Sequence, residues 1–124
     1  MDGWSADVHS ILVVDDEPLI RLDLSEFFHH RGFVVFEAAN ADEAIAVLNH
    51  NPAIQVVLTD VQMPGSMDGI RLAHFIRERW PPTLLVVASG GRSVDQGALP
   101  SRSVFVAKPF DPHRVLGEIA RLAA

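Results

Sequence analysis

Ile11-Leu12-Val13-Val14-Asp15-Asp16-Glu17-Pro18 is the stretch that decides how this chain folds. Four apolar residues run without a break into three acids and a proline. A strand that is apolar at every position is covered on both faces, as in a parallel sheet flanked by helices. The same pattern recurs three times: Ile54 to Thr59 runs into Asp60, Leu84 to Ala88 into Ser89, and Val104-Phe105-Val106-Ala107 into Lys108-Pro109. A shorter strand, Val34-Val35-Phe36, follows Arg31-Gly32. Amphipathic stretches alternate with these runs, which is the βαβ signature. In an open sheet of that kind the C-terminal strand ends share an edge, and ligands bind there. Three carboxylates, one hydroxyl and one ammonium then converge on a single crevice.

The helices are marked at their ends. Pro18 suits a first helical position, and Ile20, Leu24, Phe27 and Phe28 form a stripe that Gly32 can terminate. Asn40 with Glu43 three residues on reads as a capping box, followed by Ala44, Ile45 and Leu48, with Pro52 beyond. A third helix opens at Asp68-Gly69 and turns Ile70, Ala73, Ile76 and Trp80 inward before Pro81-Pro82. The last begins with Asp111 as cap and Pro112 at the first position, its stripe being Val115, Ile119 and Leu122. The segment from Gly90 to Arg102 holds three glycines, a proline and few apolar residues. At most one or two helical turns are expected there, over Arg92 to Ala98, because isolated short helices are marginal.

A length of 124 residues fits one domain with its own core. The absence of cysteine excludes a disulfide framework and a thiolate metal site. A net charge of −6 argues against direct nucleic-acid binding, which wants a basic face. No apolar run approaches the ~18 residues of a membrane span. Residues 1–9 lack the basic and apolar regions of a secretory signal. They are expected to be a flexible leader, with Trp4 a tail residue, ahead of a domain over 10–124 in a cytoplasmic protein.

Adjacent carboxylates at about 4 Å repel by roughly 4 kcal/mol in an effective dielectric of about 20. Asp15, Asp16 and Glu17 are therefore tolerable together if a cation sits among them, and hard oxygen ligands at a partly hydrated site favour Mg²⁺. Acids at a helix N-terminus are also favoured without a metal. Asp60 at a neighbouring strand end shifts the balance toward the metal. Beside Mg²⁺ its carboxylate can attack an activated phosphorus and form an acyl phosphate. Taken alone, Asp60 reads as a backbone cap, Ser89 as a loop hydroxyl and Lys108 as a solvated cation. Together, Ser89 can donate to a phosphoryl oxygen, and Lys108 can neutralise one and pair with Asp60 in an empty site. The six histidines, at 9, 29, 30, 50, 74 and 113, show no convincing ligand spacing. Met63 and Met67 read as loop packing.

These residues resemble the receiver domain of two-component response regulators, the CheY-like family. The likeness runs from about Ser10 to Ala123. It rests on Val13-Val14-Asp15-Asp16-Glu17-Pro18, Asp60-Val61-Gln62-Met63-Pro64, Met67-Asp68-Gly69, Ser89-Gly90 and Lys108-Pro109-Phe110, in that order and spacing. The resemblance implies a flavodoxin-like (βα)5 three-layer sandwich of order 2-1-3-4-5, with a short or mobile fourth helix. It implies a phosphorelay module, not a turnover enzyme, that catalyses only its own phosphorylation and dephosphorylation. Asp60 would be the phosphoacceptor; Asp16 would bind Mg²⁺ directly, Asp15 mainly through water, and the Gln62 backbone carbonyl would complete the set. Ser89 and Lys108 would bind the phosphoryl group, Ser89 and Phe105 would form the switch, and Lys108-Pro109 would be cis. The implied partners are a histidine kinase or phosphotransfer protein, docked near Leu19, Leu22 and Phe110, and an output protein of unknown identity. A homodimer through the face of the fourth helix, fifth strand and last helix is the further partner expected, with neither nucleic acid nor membrane bound directly. The sequence stops straight after the last helix: as a whole gene product it is expected to be a single-domain form whose output passes through a partner, a dimer or onward phosphotransfer, and as a piece of a longer protein it would be followed by a DNA-binding or enzymatic domain.

Three features depart from the family's commonest pattern. The loop Pro64-Gly65-Ser66-Met67 is one residue longer, the segment after Ser89 is short and glycine-rich, and Gly91 has no side chain to steer an attacking water, whereas Gln62 has. Three other functions compete. A haloacid-dehalogenase-type phosphatase needs a second aspartate two positions past its nucleophile, where Asp60 has Gln62 and Asp15 has Glu17. A pseudo-receiver would lack one of the five site residues, and none is missing. A flavin site needs a phosphate-cradling loop after the first strand, where Asp15-Asp16-Glu17 would repel the phosphate.

Overall fold

The computed structural model describes residues 8–90 and 94–124; Trp4, Gly91 and Arg92 lie outside them. Five strands, β1 (Ser10–Val14), β2 (Val34–Ala38), β3 (Val56–Asp60), β4 (Leu84–Ser89) and β5 (Ser103–Ala107), form one sheet. All pairings are parallel and the order is β2-β1-β3-β4-β5. Four α-helices cover it: α1 (Pro18–His30), α2 (Ala41–His50), α3 (Gly69–Arg79) and α4 (Pro112–Ala123).

Successive strand residues point to opposite faces, and here both faces are dry. Leu12, Val14, Val57, Leu85 and Val87 pack with Ala44 and Leu48 of α2 and Leu72, Ala73 and Ile76 of α3. Ile11, Val13, Val56, Leu58, Val86 and Val106 pack with Leu24 and Phe28 of α1 and Val115 and Ile119 of α4. The unbroken apolar runs in the sequence are the consequence of these two cores. Ile20, Phe27, Ile70 and Trp80 are half-buried at the margins of the two cores, whereas Leu72, outside the predicted stripe, is fully buried.

The helix ends follow the local chemistry. After α1, Gly32 takes φ +88°, its N–H donates to the His29 carbonyl at 3.0 Å, and the Phe33 N–H donates to that of Phe28 at 3.0 Å. Those two bonds make a Schellman motif. Asp68 and Asp111 cap α3 and α4 by accepting from the N–H groups of Arg71 and His113. At α2 the Asn40 side chain accepts from the Glu43 N–H at 2.9 Å, but Glu43 returns to the N–H of Ala39, one residue earlier than a standard box. Asn40→Ala is expected to cost ~1 kcal/mol, read as a lower urea midpoint at an unchanged m-value.

Two boundaries differ from the sequence reading. The packed chain begins before residue 10: Val8 is buried in the α1/α4 core, the His9 N–H donates to the Gln55 side chain, and its carbonyl accepts from Val34 N–H. The connector from β4 to β5 contains no α-helix among the described residues, only a 3₁₀ turn, Gln96–Ala98, capped by Asp95. Helix α3 secures it: His74 Nε2 lies 2.8 Å from the Ala98 carbonyl, and the Arg77 guanidinium donates to the carbonyls of Ser101 and Arg102 while also donating to that of Pro81 in the turn after α3. Arg102 has φ +55°, left-handed for a non-glycine residue.

Candidate functional site

Parallel pairing aligns Val14 with Thr59, Asp60 with Ala88, and Ser89 with Ala107. Asp15, Asp60, Ser89 and Lys108 therefore end up at the C-terminal edge, each fixed by the last residues of a strand. One carboxylate oxygen from each of Asp15, Asp16 and Asp60 falls within 4.8 Å of the other two. Asp15 is 2% exposed and Asp60 9%, while Asp16 faces solvent. Lys108 Nζ sits 3.4 Å from both Asp15 Oδ2 and Asp60 Oδ1. The expected pairing of Lys108 with Asp60 is present, and Asp15 shares the same ammonium. Glu17, third in the acidic run, stands apart from the cluster as the residue before α1; its N–H donates to Asp15 Oδ1 at 2.9 Å.

Burial pushes the Asp60 carboxyl above its ordinary value. The Lys108 charge pulls it back, the Asp15 carboxylate raises it further, and hydrogen bonds from Lys108 and the Gln62 backbone N–H lower it. Desolvation outweighs the single ammonium, which two nearly buried carboxylates share. Ser89 is 2% exposed and its Oγ has no hydrogen-bond partner among the described residues. Phe105, two positions before Ala107 on β5, is half-buried against the α2/α3 core. The Lys108-Pro109 bond is cis. All six histidines are exposed and none belongs to this cluster.

Three contributors were not singled out in the sequence. Arg21 Nη1 donates to the Asp15 carbonyl at 2.6 Å while its Nε pairs with Glu37 at 3.1 Å. A charged pair of that kind, 16 residues apart, has no local pattern to announce it. Gly69 stands in the sequence as a helix start and in the Met67-Asp68-Gly69 match, but neither reading gives its packing role: a Cβ there would lie 2.0 Å from the Asp60 carbonyl oxygen. The longer loop is pinned by Ser66, whose hydroxyl donates to Asp42 at 2.7 Å on α2, with Gly65 at φ +109° making the bend. Met63 and Met67 pack against the core from this loop, as expected of them.

A five-stranded sheet of order 2-1-3-4-5 with acids, a hydroxyl and a lysine at its switch-point edge defines a flavodoxin-like signalling module. The match to known proteins is specific. The model of the response regulator receiver domain covers residues 11–120, and the chain belongs to that family. It is 35% identical over 115 residues to the transcriptional regulatory protein ResD of Bacillus subtilis, covering 90% of this chain and 47% of ResD. The chain thus spans about half the length of the curated relatives it matches. A response regulator receiver protein from Sinorhizobium medicae superposes with a TM-score of 0.84 at 27% identity, over 95% of this chain and 96% of that one. The CheX-CheY-BeF3-Mg²⁺ complex from Borrelia burgdorferi gives 0.82 at 26% identity, over 98% and 95%. This protein is a receiver domain of the two-component response regulator class.

Proposed function

We propose that Asp60 accepts a phosphoryl group from a histidine kinase or phosphotransfer protein, and that Ser89 and Phe105 convert that event into a changed interaction surface. One observation carries the reading: a single ammonium shared by two nearly buried carboxylates, with an unpartnered buried hydroxyl at the neighbouring strand end. The donor set also fits Mg²⁺, being all hard oxygens with one exposed acid, Asp16, on the solvent side. Asp15, Asp16, Asp60 and the Gln62 carbonyl would hold the ion. Bound there, it would offset carboxylate charge and polarise phosphoryl oxygens.

The chain's own groups supply the rest. An Asp60 Oδ attacks phosphorus; the new O–P bond forms as the donor's bond to phosphorus breaks, and the electron pair leaves with the donor. The Lys108 ammonium meets charge developing on the phosphoryl oxygens, and Ser89 Oγ–H donates to one of them. The acyl phosphate carries roughly −1.5 to −2 charges where the Asp60 carboxylate carried one, and the three new phosphoryl oxygens draw Ser89 toward the site and open room for Phe105 to turn inward. The chemistry is confined to this self-modification and its reversal, in the cytoplasm. Leu19 is 76% exposed and Leu22 47%. Beside them a groove lined by Ile20, Leu24, Gly90, Lys108, Pro109 and Phe110 offers the kinase its docking place. The output partner, or a second copy, would read the connector, β5 and α4.

Intact-mass analysis after incubation with Mg²⁺ and acetyl phosphate tests the assignment. One phosphoryl adduct is expected, abolished by chelator and mapping to the Asp60 peptide. Absence of an adduct, where a control receiver is labelled, would make the chain a phosphorylation-independent binding module.

A further inference from the structure

We infer that Arg21 is a positioning residue that presents Asp16 to the cation site by locking the Asp15-Asp16 peptide. The inference rests on the Mg²⁺ site of the proposed function given above. Every polar atom of Asp15 is engaged. Its N–H donates to the Ala38 carbonyl at 3.1 Å, its Oδ1 accepts from Glu17 N–H at 2.9 Å, and its Oδ2 pairs with Lys108 at 3.4 Å. Its carbonyl accepts from Arg21 Nη1 at 2.6 Å, the shortest of the four. That carbonyl belongs to the peptide plane leading into Asp16.

Asp16 itself is exposed and carries no side-chain hydrogen bond or ion pair among the described residues. Its direction is therefore set by its backbone, and that peptide's carbonyl is held by one guanidinium. Arg21 is in turn braced at its other end: Nε pairs with Glu37 Oε1 at 3.1 Å on β2, and its N–H donates to the Glu17 carbonyl at 3.0 Å within α1. Helix α1, the end of β1 and strand β2 thus meet on one side chain. Only a guanidinium has the forked donors to serve a carbonyl and a carboxylate at once.

Two effects of removing Arg21 oppose each other. Loss of a nearby positive charge would tighten cation binding; loss of the lock would weaken it, because the ion must then order the Asp15-Asp16 peptide itself. Glu37 neutralises the guanidinium at contact distance, so the charge effect is small and the lock dominates. Outer-shell partners of metal ligands are typically worth about 10- to 100-fold in affinity.

The test is calorimetric titration of Mg²⁺ into the unphosphorylated protein, paired with the Mg²⁺ dependence of acetyl phosphate labelling. Arg21→Met keeps the apolar stem and is expected to raise the Mg²⁺ Kd about tenfold, with the labelling rate at saturating Mg²⁺ within twofold of wild type. Arg21→Lys keeps the charge without the fork and is expected to bind as weakly as the methionine variant. Unchanged or tighter binding in Arg21→Met, or full recovery by lysine, would overturn the inference. If Arg21→Met fails to fold, Glu37→Ala frees the outer end of the brace, and an unchanged Mg²⁺ Kd there overturns it equally. A wild type that binds Mg²⁺ but takes no phosphoryl group would sink the phosphoacceptor reading alone and leave the positioning role standing.

Discussion

An Asp60→Asn protein is expected to take no phosphoryl group from acetyl phosphate and to melt at a higher temperature than the wild type in chelator-treated buffer at neutral pH. The first outcome follows from the loss of the proposed acceptor carboxylate; an amide oxygen is a poor nucleophile toward phosphorus. The second follows from the energetics of the pocket. Burial, reinforced by Asp15, holds the Asp60 carboxyl above its unfolded value of 3.8 despite Lys108. A raised carboxyl pKa means that the native state binds the extra proton. Stability therefore falls as pH rises from 3.8 through the native value, and the penalty is complete above it. Asparagine removes the penalty, so its advantage should be full at pH 7 and vanish below pH 3.8. Melting curves from pH 3 to pH 8 measure this directly. An asparagine variant less stable than wild type across that range would show that the Lys108 pair outweighs desolvation.

Gly69→Ala is expected to be the most damaging glycine-to-alanine change among the described residues. The added Cβ would lie 2.0 Å from the Asp60 carbonyl oxygen, 2.8 Å from its carbon and 2.9 Å from Val61 Cα. All three are backbone atoms, and none can rotate away. Either α3 must lift from the sheet, breaking the 2.8 Å bond from Gly69 N–H to the Val61 carbonyl, or the Asp60 peptide must move. Overpacking of this kind costs about 3 kcal/mol, a loss of roughly 10–15 °C in Tm for a domain this size. Labelling of Asp60 should slow in parallel. Gly117→Ala is the control: nothing lies within 4 Å of its Cβ, and in the middle of α4 it should stabilise by about 0.5–1 kcal/mol. Thermal denaturation of the two variants side by side separates a steric requirement for glycine from a general helix effect.

The strands and the edge residues were legible because each is written locally, whereas the strand order came from the family resemblance. An apolar run that stops at Asp15, Asp60, Ser89 or Lys108 states both the strand and what stands at its end. The caps at Asn40, Asp68 and Asp111 and the stop at Gly32 are equally local. What stayed hidden depends on distant partners. Nothing near Arg21 names Glu37, nothing near Gly69 names the Asp60 carbonyl, and nothing near Asp95 tells that Arg77 will hold the connector by the carbonyls of Ser101 and Arg102. The sharing of Lys108 between two acids was half visible. Pairing with Asp60 followed from the strand ends, whereas the second contact needed the β1-β3-β4-β5 spacing. The leader boundary was misplaced because Val8 and His9 gain their partners, the α1/α4 core and Val34, only through tertiary packing.

Lys108 reaches Asp15 across 93 positions of sequence. Between them the crevice draws a residue from the end of nearly every strand. No fragment, nascent chain or partly melted form can assemble it, because each missing strand deletes a charge or the wall behind one. The ability to be labelled is therefore an all-or-none readout of completed folding. A kinase that recognises this edge would inspect the integrity of its substrate in the same act that passes on the signal, so damaged copies would stay silent and could not misreport.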